Sequence, residues 1–335
     1  MNNEDIEAIR LLLSTPKKIV IIPHRSPDGD AMGSTLGLYH FLLQLQHEAV
    51  VIAPNDFPEF LAWIPGAENV LVYENDKAKT TQIINEAELI FTLDFNALHR
   101  VGEMETVLKE VKAPFIMIDH HQKPDDYAMY TYSDTAFGST CEMLYHFIVS
   151  LGHKNLIDKT VATCIYTGIV TDSGSFRFPS TTSTTHRVAA DLIDIGIENG
   201  EIHNALFDNN SYSRLQLLGQ GLKNMKIWEA KKTSYITLSQ KELDTYNYVK
   251  GDTEGIVNYG LSIKGIIFTA IFIEHKDENI IKISFRSQGD FNVNEFAREH
   301  FNGGGHNNAA GGKSYLSLQK TVQKFEEIIN AMTIE

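Results

Sequence analysis

The chain has 335 residues, a formal net charge of −14 and 43% hydrophobic residues. That length suits two domains, each with its own core, and the composition excludes fibrous and low-complexity classes. The acid excess argues against a grip on long duplex nucleic acid, which calls for a basic face. No apolar run reaches the roughly 18 residues that span a bilayer, so no membrane association is expected.

The start, MNNEDIEAIR, is acidic and helix-like and lacks the form of a signal peptide. Lys18–Ile22 is an apolar, β-branched run that ends at Pro23, and a helical pattern follows over residues 31–45. Glu48–Ala53 and residues 88–94 and 114–119 are further short strand candidates, with helical stretches at 81–87 and 103–111. Strands alternating with helices predict an α/β fold, a parallel sheet with helices on both faces. Three of these strands run straight into Asp or His, as IVIIPH, LIFTLD and FIMIDHH. Ligands of open α/β sheets bind at the carboxyl ends of strands, so distant residues can meet at one edge.

Helices are predicted at 138–151, 158–169 and 183–195, and 201–221 reads as a helical connector. Cys141 and Cys164 lie in these apolar helices without metal-type spacing. They read as buried free thiols, which suits a reducing, cytoplasmic location. The pattern then changes to strands at 226–238, 264–275 and 279–285 and helices at 292–301 and 317–332, a smaller mixed α/β unit. From Lys223 onward 14 Lys+Arg balance 14 Asp+Glu, so the whole charge excess precedes that residue. The expected division is a catalytic domain over 1–200, a helical linker over 201–222 and a substrate-binding domain over 223–335.

Four motifs carry the chemistry of the first half. In His24-Arg25-Ser26-Pro27-Asp28-Gly29-Asp30 a Pro/Gly turn can point one imidazole and two carboxylates into one cavity. That donor set suits Mn²⁺, Mg²⁺, Fe²⁺ or Zn²⁺, although Asp30 could simply cap the following helix. Thr92-Leu93-Asp94 ends a strand, where an Asp is ordinarily a turn residue. Asp119-His120-His121 follows another strand, and the alternation of strand side chains predicts two different roles for the His pair. The fourth, Gly168 to Arg177 around Asp172-Ser173-Gly174, ends an apolar helix and could let backbone approach an anion.

In this order the motifs resemble those of the DHH phosphoesterase superfamily, named for its Asp-His-His. Downstream, Phe285-Arg286-Ser287 and Gly303-Gly304-Gly305-His306 resemble signatures of the DHH-associated substrate-binding domain. The resemblance covers nearly the whole chain, and its length and layout are most similar to the NrnA-type subgroup of oligoribonucleases and pAp phosphatases. It implies a metal-dependent hydrolase with two divalent ions, manganese foremost, with magnesium, iron or cobalt as the other candidates. His24, Asp28 and Asp94 would hold one ion; Asp30, Asp94, His120 and Asp172 would hold the other, with Asp94 bridging. His121 would assist catalysis at the phosphate and Asp119 would orient a ligating histidine. Two ions about 3.5–4 Å apart suit an anionic phosphoester because they activate water and stabilise the attacking and leaving oxygens.

Arg286, Gly303, Gly304, Gly305 and His306 are expected to clamp the nucleotide, with Arg25 and Arg177 as further phosphate contacts. By themselves the three glycines would also suit a flexible linker, and Phe176 and Phe178 either packing or base stacking. The expected substrates are very short oligonucleotides, held in a cleft that admits few nucleotides, and pAp. A phosphodiesterase for pApA or cyclic di-AMP is the alternative, and a homodimer is entertained. A family II pyrophosphatase has a different C-terminal domain, and a full RecJ exonuclease needs more DNA-binding domains. A non-catalytic sensor would be expected to have lost metal ligands, and none is missing. The family often carries Thr at the position of Ser173.

Overall fold

A computed structural model describes residues 1–332, so the last three positions of the expected 223–335 domain lie outside the described residues. The chain forms two compact units that meet in sequence at Asn209 and Asn210.

The first unit runs α1 (Asn3–Leu12), β1 (Lys18–Ile22), α2 (Gly29–Gln44), β2 (Glu48–Ala53), β3 (Leu71–Val72), α3 (Lys77–Glu86), β4 (Leu89–Leu93), α4 (Glu105–Glu110), β5 (Phe115–Asp119) and β6 (Tyr130–Ser133). The helices α5 (Thr140–Ser150), α6 (Lys159–Asp172), α7 (Ser183–Asp194) and α8 (Asn199–Phe207) complete it. Its strands lie in the order β3-β2-β1-β4-β5-β6, every pair parallel. Alternation along each strand sends side chains to two cores. Ile19, Ile21, Phe91 and Ile118 pack on the side of α1, α2, α5 and α6, while Val20, Ile22, Ile90 and Phe115 pack on the side of α3 and α4. Burial of both faces is what near-continuous apolar strands require. The strand order reverses between β1 and β4, which creates a crevice outside their carboxyl ends.

The second unit runs α9 (Tyr212–Asn224), β7 (Lys226–Trp228), β8 (Thr233–Leu238), α10 (Gln240–Thr245), α11 (Asn258–Leu261), β9 (Phe268–His275), β10 (Ile280–Ser287), α12 (Val293–His300), β11 (Gly304–Gly305), β12 (Ala309–Ser314) and α13 (Leu318–Ala331). Its sheet has the order β11-β12-β10-β9-β8-β7, parallel only between β8 and β9. Phe268, Phe272, Phe285, Phe296, Phe301 and Phe325 fill one face, and Ile236, Leu238, Ile271 and Ile273 the other.

Three expectations change. The connector expected over 201–221 is two helices, α8 in the first unit and α9 in the second. The break falls at Asp208, Asn209 and Asn210, and Ser211 caps α9 through the Arg214 N–H. The strand expected over 226–238 is two strands, parted where Lys232 takes a left-handed φ of 47°. The three glycines are no flexible linker: Gly304 pairs with Gly311 and Gly305 with Ala310. A side chain at Gly303 would run into the Gly311 carbonyl, so the residue is fixed by close backbone approach.

Cys141 and Cys164 are buried free thiols, as expected. Among the described residues no helix is long and apolar enough to cross a membrane.

Candidate metal centre

Four segments of the first unit converge at the β1/β4 crevice. β1 delivers His24, which is buried, and the turn after it delivers Asp28 and Asp30. Asp28, not Asp30, caps α2: its Oδ1 accepts the N–H groups of Asp30 and Ala31, both at 3.1 Å. Its other oxygen, Oδ2, is left facing His24 Nε2 at 3.8 Å. Asp94 follows β4 with a φ of 64°, a left-handed conformation that Asp tolerates better than most residues.

The buried Asp94 carboxylate divides its two oxygens. Oδ2 lies 3.3 Å from His24 Nε2, and Oδ1 lies 3.4 Å from His120 Nε2. His120 Nε2 also lies 3.4 Å from Asp172 Oδ2 and 3.7 Å from Asp30 Oδ2. His24–Asp28–Asp94 and Asp30–His120–Asp172 are two of the donor sets that result, each with its atoms within 4.8 Å of one another, and Asp94–Asp119–His121 is a further one. Asp28 and Asp172 keep partly exposed side chains, so the centre opens on their side.

Both histidines have a defined ring orientation. His24 Nδ1 lies 2.9 Å from the Arg25 carbonyl and His120 Nδ1 3.3 Å from the Phe137 carbonyl. A carbonyl accepts only, so each Nδ1 is the donor and each Nε2 keeps a lone pair directed at the carboxylates. Asp119 behaves differently from the expectation. Its carboxylate takes the His121 main-chain N–H at 2.8 Å and lies 2.7 Å from His121 Nδ1, so it orients His121 rather than His120. The two rings also lie edge to face, their centroids 4.9 Å apart, with His121 Nδ1 3.8 Å from Asp94 Oδ1. β5 ends at Asp119, so the pleat that would send neighbours to opposite faces no longer applies.

The helix packing behind the centre is tight. Asp30 receives the Thr140 N–H at 2.7 Å and the Cys141 N–H at 2.9 Å from the first turn of α5. The Thr140 hydroxyl donates to Asp94 Oδ1 at 3.0 Å. A Cβ at Gly168 would overlap Cys141 Sγ and sit 2.7 Å from Asp30 Oδ1. Gly168 therefore serves helix packing and not approach to an anion. Gly168→Ala is expected to destabilise the protein by about 1–3 kcal/mol through overpacking, read as a lower urea midpoint.

The electrostatics fit divalent cations. Asp30, Asp94 and Asp172 crowd together, and among the described residues their ion-pair partners are all histidines. Burial and the Asp94 charge push the Asp30 carboxyl up to about 8. Burial and the Asp30 and Asp28 charges raise Asp172 well above its usual value. Burial would also raise Asp94, but hydrogen bonds from His120 and His24 outweigh it and hold that carboxyl well below the usual range. Burial opposes charge on His24 and His120, yet the neighbouring carboxylates raise both. Without cations, protons must take up the negative charge. Two imidazoles and four carboxylates are a donor set that divalent ions can satisfy.

The other expected site residues are placed as follows. Arg25 Nη2 donates to Glu74 Oε1 at 3.1 Å, and Arg177 Nε donates to the Gly174 carbonyl at 2.6 Å. The turn after Asp172 carries three successive left-handed residues, Gly174, Ser175 and Phe176. Phe176 stacks on His186 at 5.3 Å, a packing role, whereas Phe178 is 40% exposed. In the second unit Arg286 pairs across β10 and β12 with Ala309, and His306 opens the tight turn that the Ala309 carbonyl closes through the His306 N–H at 2.7 Å. Gly305 N–H donates to Asn294 Oδ1 at 3.0 Å, and Asn308 Nδ2 to the Ser287 hydroxyl at 2.9 Å. Arg286, Ser287 and the Gly304–Gly305 hairpin thus lie at one end of one sheet. Thr140 was missed; the Ser139-Thr140 pair before an apolar helix is an N-cap signal and says nothing about Asp94.

The DHH family N-terminal domain matches residues 18–169, and the DHHA1 domain matches residues 234–333. The chain is 28% identical to a probable bifunctional oligoribonuclease and PAP phosphatase NrnA of Streptococcus mutans over 94% of each chain. It is 30% identical to the bifunctional oligoribonuclease and PAP phosphatase NrnA of Thermus thermophilus, over 95% of this chain and 90% of that one. An exopolyphosphatase-related protein of Bacteroides fragilis has a crystal structure that superposes with a TM-score of 0.94 at 40% identity, covering 98% of this chain and 96% of its own. With the Asp-His-His motif at the end of β5, and both domains matched in order, the chain belongs to the DHH family.

Proposed function

We propose that this chain is a metal-dependent phosphoesterase that hydrolyses very short oligoribonucleotides to mononucleotides and removes the 3′-phosphate of pAp. The observation that carries the reading is the buried carboxylate of Asp94, whose two oxygens face His24 of one donor set and His120 of another at the carboxyl ends of parallel strands. Likeness to the NrnA proteins along nearly the whole chain supports the substrate class.

His24, Asp28 and Asp94 would hold one divalent ion, and Asp94, Asp30, His120 and Asp172 would hold the other; manganese suits this mixed imidazole–carboxylate set. Bound ions supply Lewis acidity and neutralise the phosphate charge. Asp119 fixes His121 through its Nδ1, and His121 would assist proton transfer at the substrate. Arg286, at the same end of its sheet as the Gly304–Gly305 hairpin, would offer guanidinium N–H donors to a phosphate. The metals and these local donors account for an anionic substrate on an acidic chain. Two buried free thiols suit a reducing, cytoplasmic location.

Turnover in Mn²⁺ of a diribonucleotide, a five-mer, a 24-mer, pAp and cyclic di-AMP tests this. Fast loss of the two- and five-mers and of pAp, with a slow 24-mer, is the expected result. Hydrolysis of cyclic di-AMP alone would replace the reading with a signalling phosphodiesterase, and an inert panel would refute it.

A further inference from the structure

Two arginines stand beside His24, and the protein employs them differently. Arg25 is engaged: its guanidinium donates to Glu74, and its side chain runs beside Gly102, where a Cβ would sit 3.0 Å from Arg25 Cδ. Gly102 has a φ of 62° at this kink. Arg100 comes from the 3-10 turn Leu98–Met104, which follows Asp94 in the chain. Its carbonyl accepts the Arg25 N–H at 2.9 Å, which ties the turn against the His24-Arg25 peptide. The Arg100 side chain is half-buried. Among the described residues its guanidinium has no acceptor within hydrogen-bonding distance and no ion-pair partner. The guanidinium lies near enough to His24 for the two to interact electrostatically.

The Arg100 guanidinium nitrogens are not among the buried polar atoms without a partner, so they stay open to solvent and to an incoming anion. The neighbouring carboxylates are already engaged. Glu74 is held by Arg25, Asp28 Oδ1 by two backbone N–H groups, and Asp94 by His24 and His120. An incoming phosphate is the anion that would complete this corner, and a guanidinium matches it with a two-pronged fork.

We propose that Arg100, rather than Arg25, grips the substrate's phosphate beside the His24–Asp28–Asp94 donor set. The proposal rests on the phosphoesterase reading and adds a specific phosphate-binding residue to it. The sequence pointed to Arg25 because it lies inside a motif; Arg100 lies outside every motif and becomes visible only through the turn that returns it to His24.

The test compares Arg100→Ala, Arg100→Lys and Arg25→Ala with the wild type, all loaded with Mn²⁺. Steady-state rates on a diribonucleotide are measured together with calorimetric binding of AMP and of adenosine. Losing charged hydrogen bonds to phosphate should lower kcat/KM by about 10–100-fold in Arg100→Ala and weaken AMP binding to a similar degree. Adenosine binding should stay near that of the wild type, Arg100→Lys should recover part of the loss, and Arg25→Ala should lose much less. Wild-type-like kcat/KM and AMP affinity in Arg100→Ala would overturn the proposal. So would an equal loss for AMP and adenosine with a lowered Tm, which is the mark of a merely structural residue. If the wild type hydrolyses no phosphoester, the functional reading fails on its own. AMP binding then decides Arg100 separately, and a wild type that binds no AMP, or binds it no better than Arg100→Ala does, counts against it.

Discussion

Asp94→Asn is expected to remove about three orders of magnitude or more from Mn²⁺-dependent turnover of a diribonucleotide while the chain stays folded. Among the described residues Asp94 is the one carboxylate whose two oxygens face different histidines, at 3.3 Å and 3.4 Å. An amide keeps the volume but has one neutral oxygen and an N–H₂ that cannot ligate, so at least one donor set loses a ligand. Asn is also the informative replacement on backbone grounds. The residue sits at a φ of 64°, which Asn tolerates and which would strain Ala. Metal content by mass spectrometry should fall below that of the wild type, and circular dichroism should show a retained fold. Near-normal rates with a full metal complement would remove the bridging role.

The second large effect is the response of the metal-free protein to pH. Asp30 titrates from 3.8 in the unfolded chain to about 8 in the fold, so the folded state holds a proton that the unfolded state releases between these values. Stability from this group is complete below about pH 4 and is lost as pH rises towards 8. Asp172, His24 and His120 are raised as well and act in the same direction. Asp94 is depressed, so its contribution is lost only on acidification below its unfolded value, outside this window. Divalent ions take the place of the protons, so Mn²⁺ should stabilise the protein more at pH 8 than at pH 5 and should release protons on binding. Melting curves with EDTA and with excess Mn²⁺ at both pH values measure this, and Asp30→Asn should flatten the metal-free difference. A metal-free Tm that is higher at pH 8 than at pH 5 in the wild type, and unaltered by Asp30→Asn, would contradict the account.

The catalytic unit was legible where local chemistry decides the structure. β1 and β2 have the predicted limits because β-branched apolar runs bounded by turns leave little choice. The His24, Asp94 and Asp119 motifs converge because each ends a parallel strand. What stayed hidden was decided by partners distant in sequence. Glu74 engages Arg25, α5 brings Thr140 to Asp94, and Gly168 is small for the sake of Asp30 and Cys141. Asp28 took the cap expected of Asp30 because the helix begins at Gly29, two residues earlier than its apolar pattern does. The break between α8 and α9 falls at Asp208-Asn209-Asn210, between the apolar Leu206-Phe207 and the Ser211 cap. A helix-like composition does not reveal where a chain leaves one core and enters another.

The two donor sets differ in how the chain assembles them. His24 and Asp28 belong to one β1–α2 turn, so most of the first set exists as soon as that local unit forms. Asp30, His120 and Asp172 come from α2, the end of β5 and the end of α6, and α5 must dock before Asp30 is held. A partly folded chain therefore has no second site, and its formation waits on non-local contacts that are slow to close. Cations at that second set would act as a latch fastened last, one that resists unfolding and leaves the rate of assembly to the sheet.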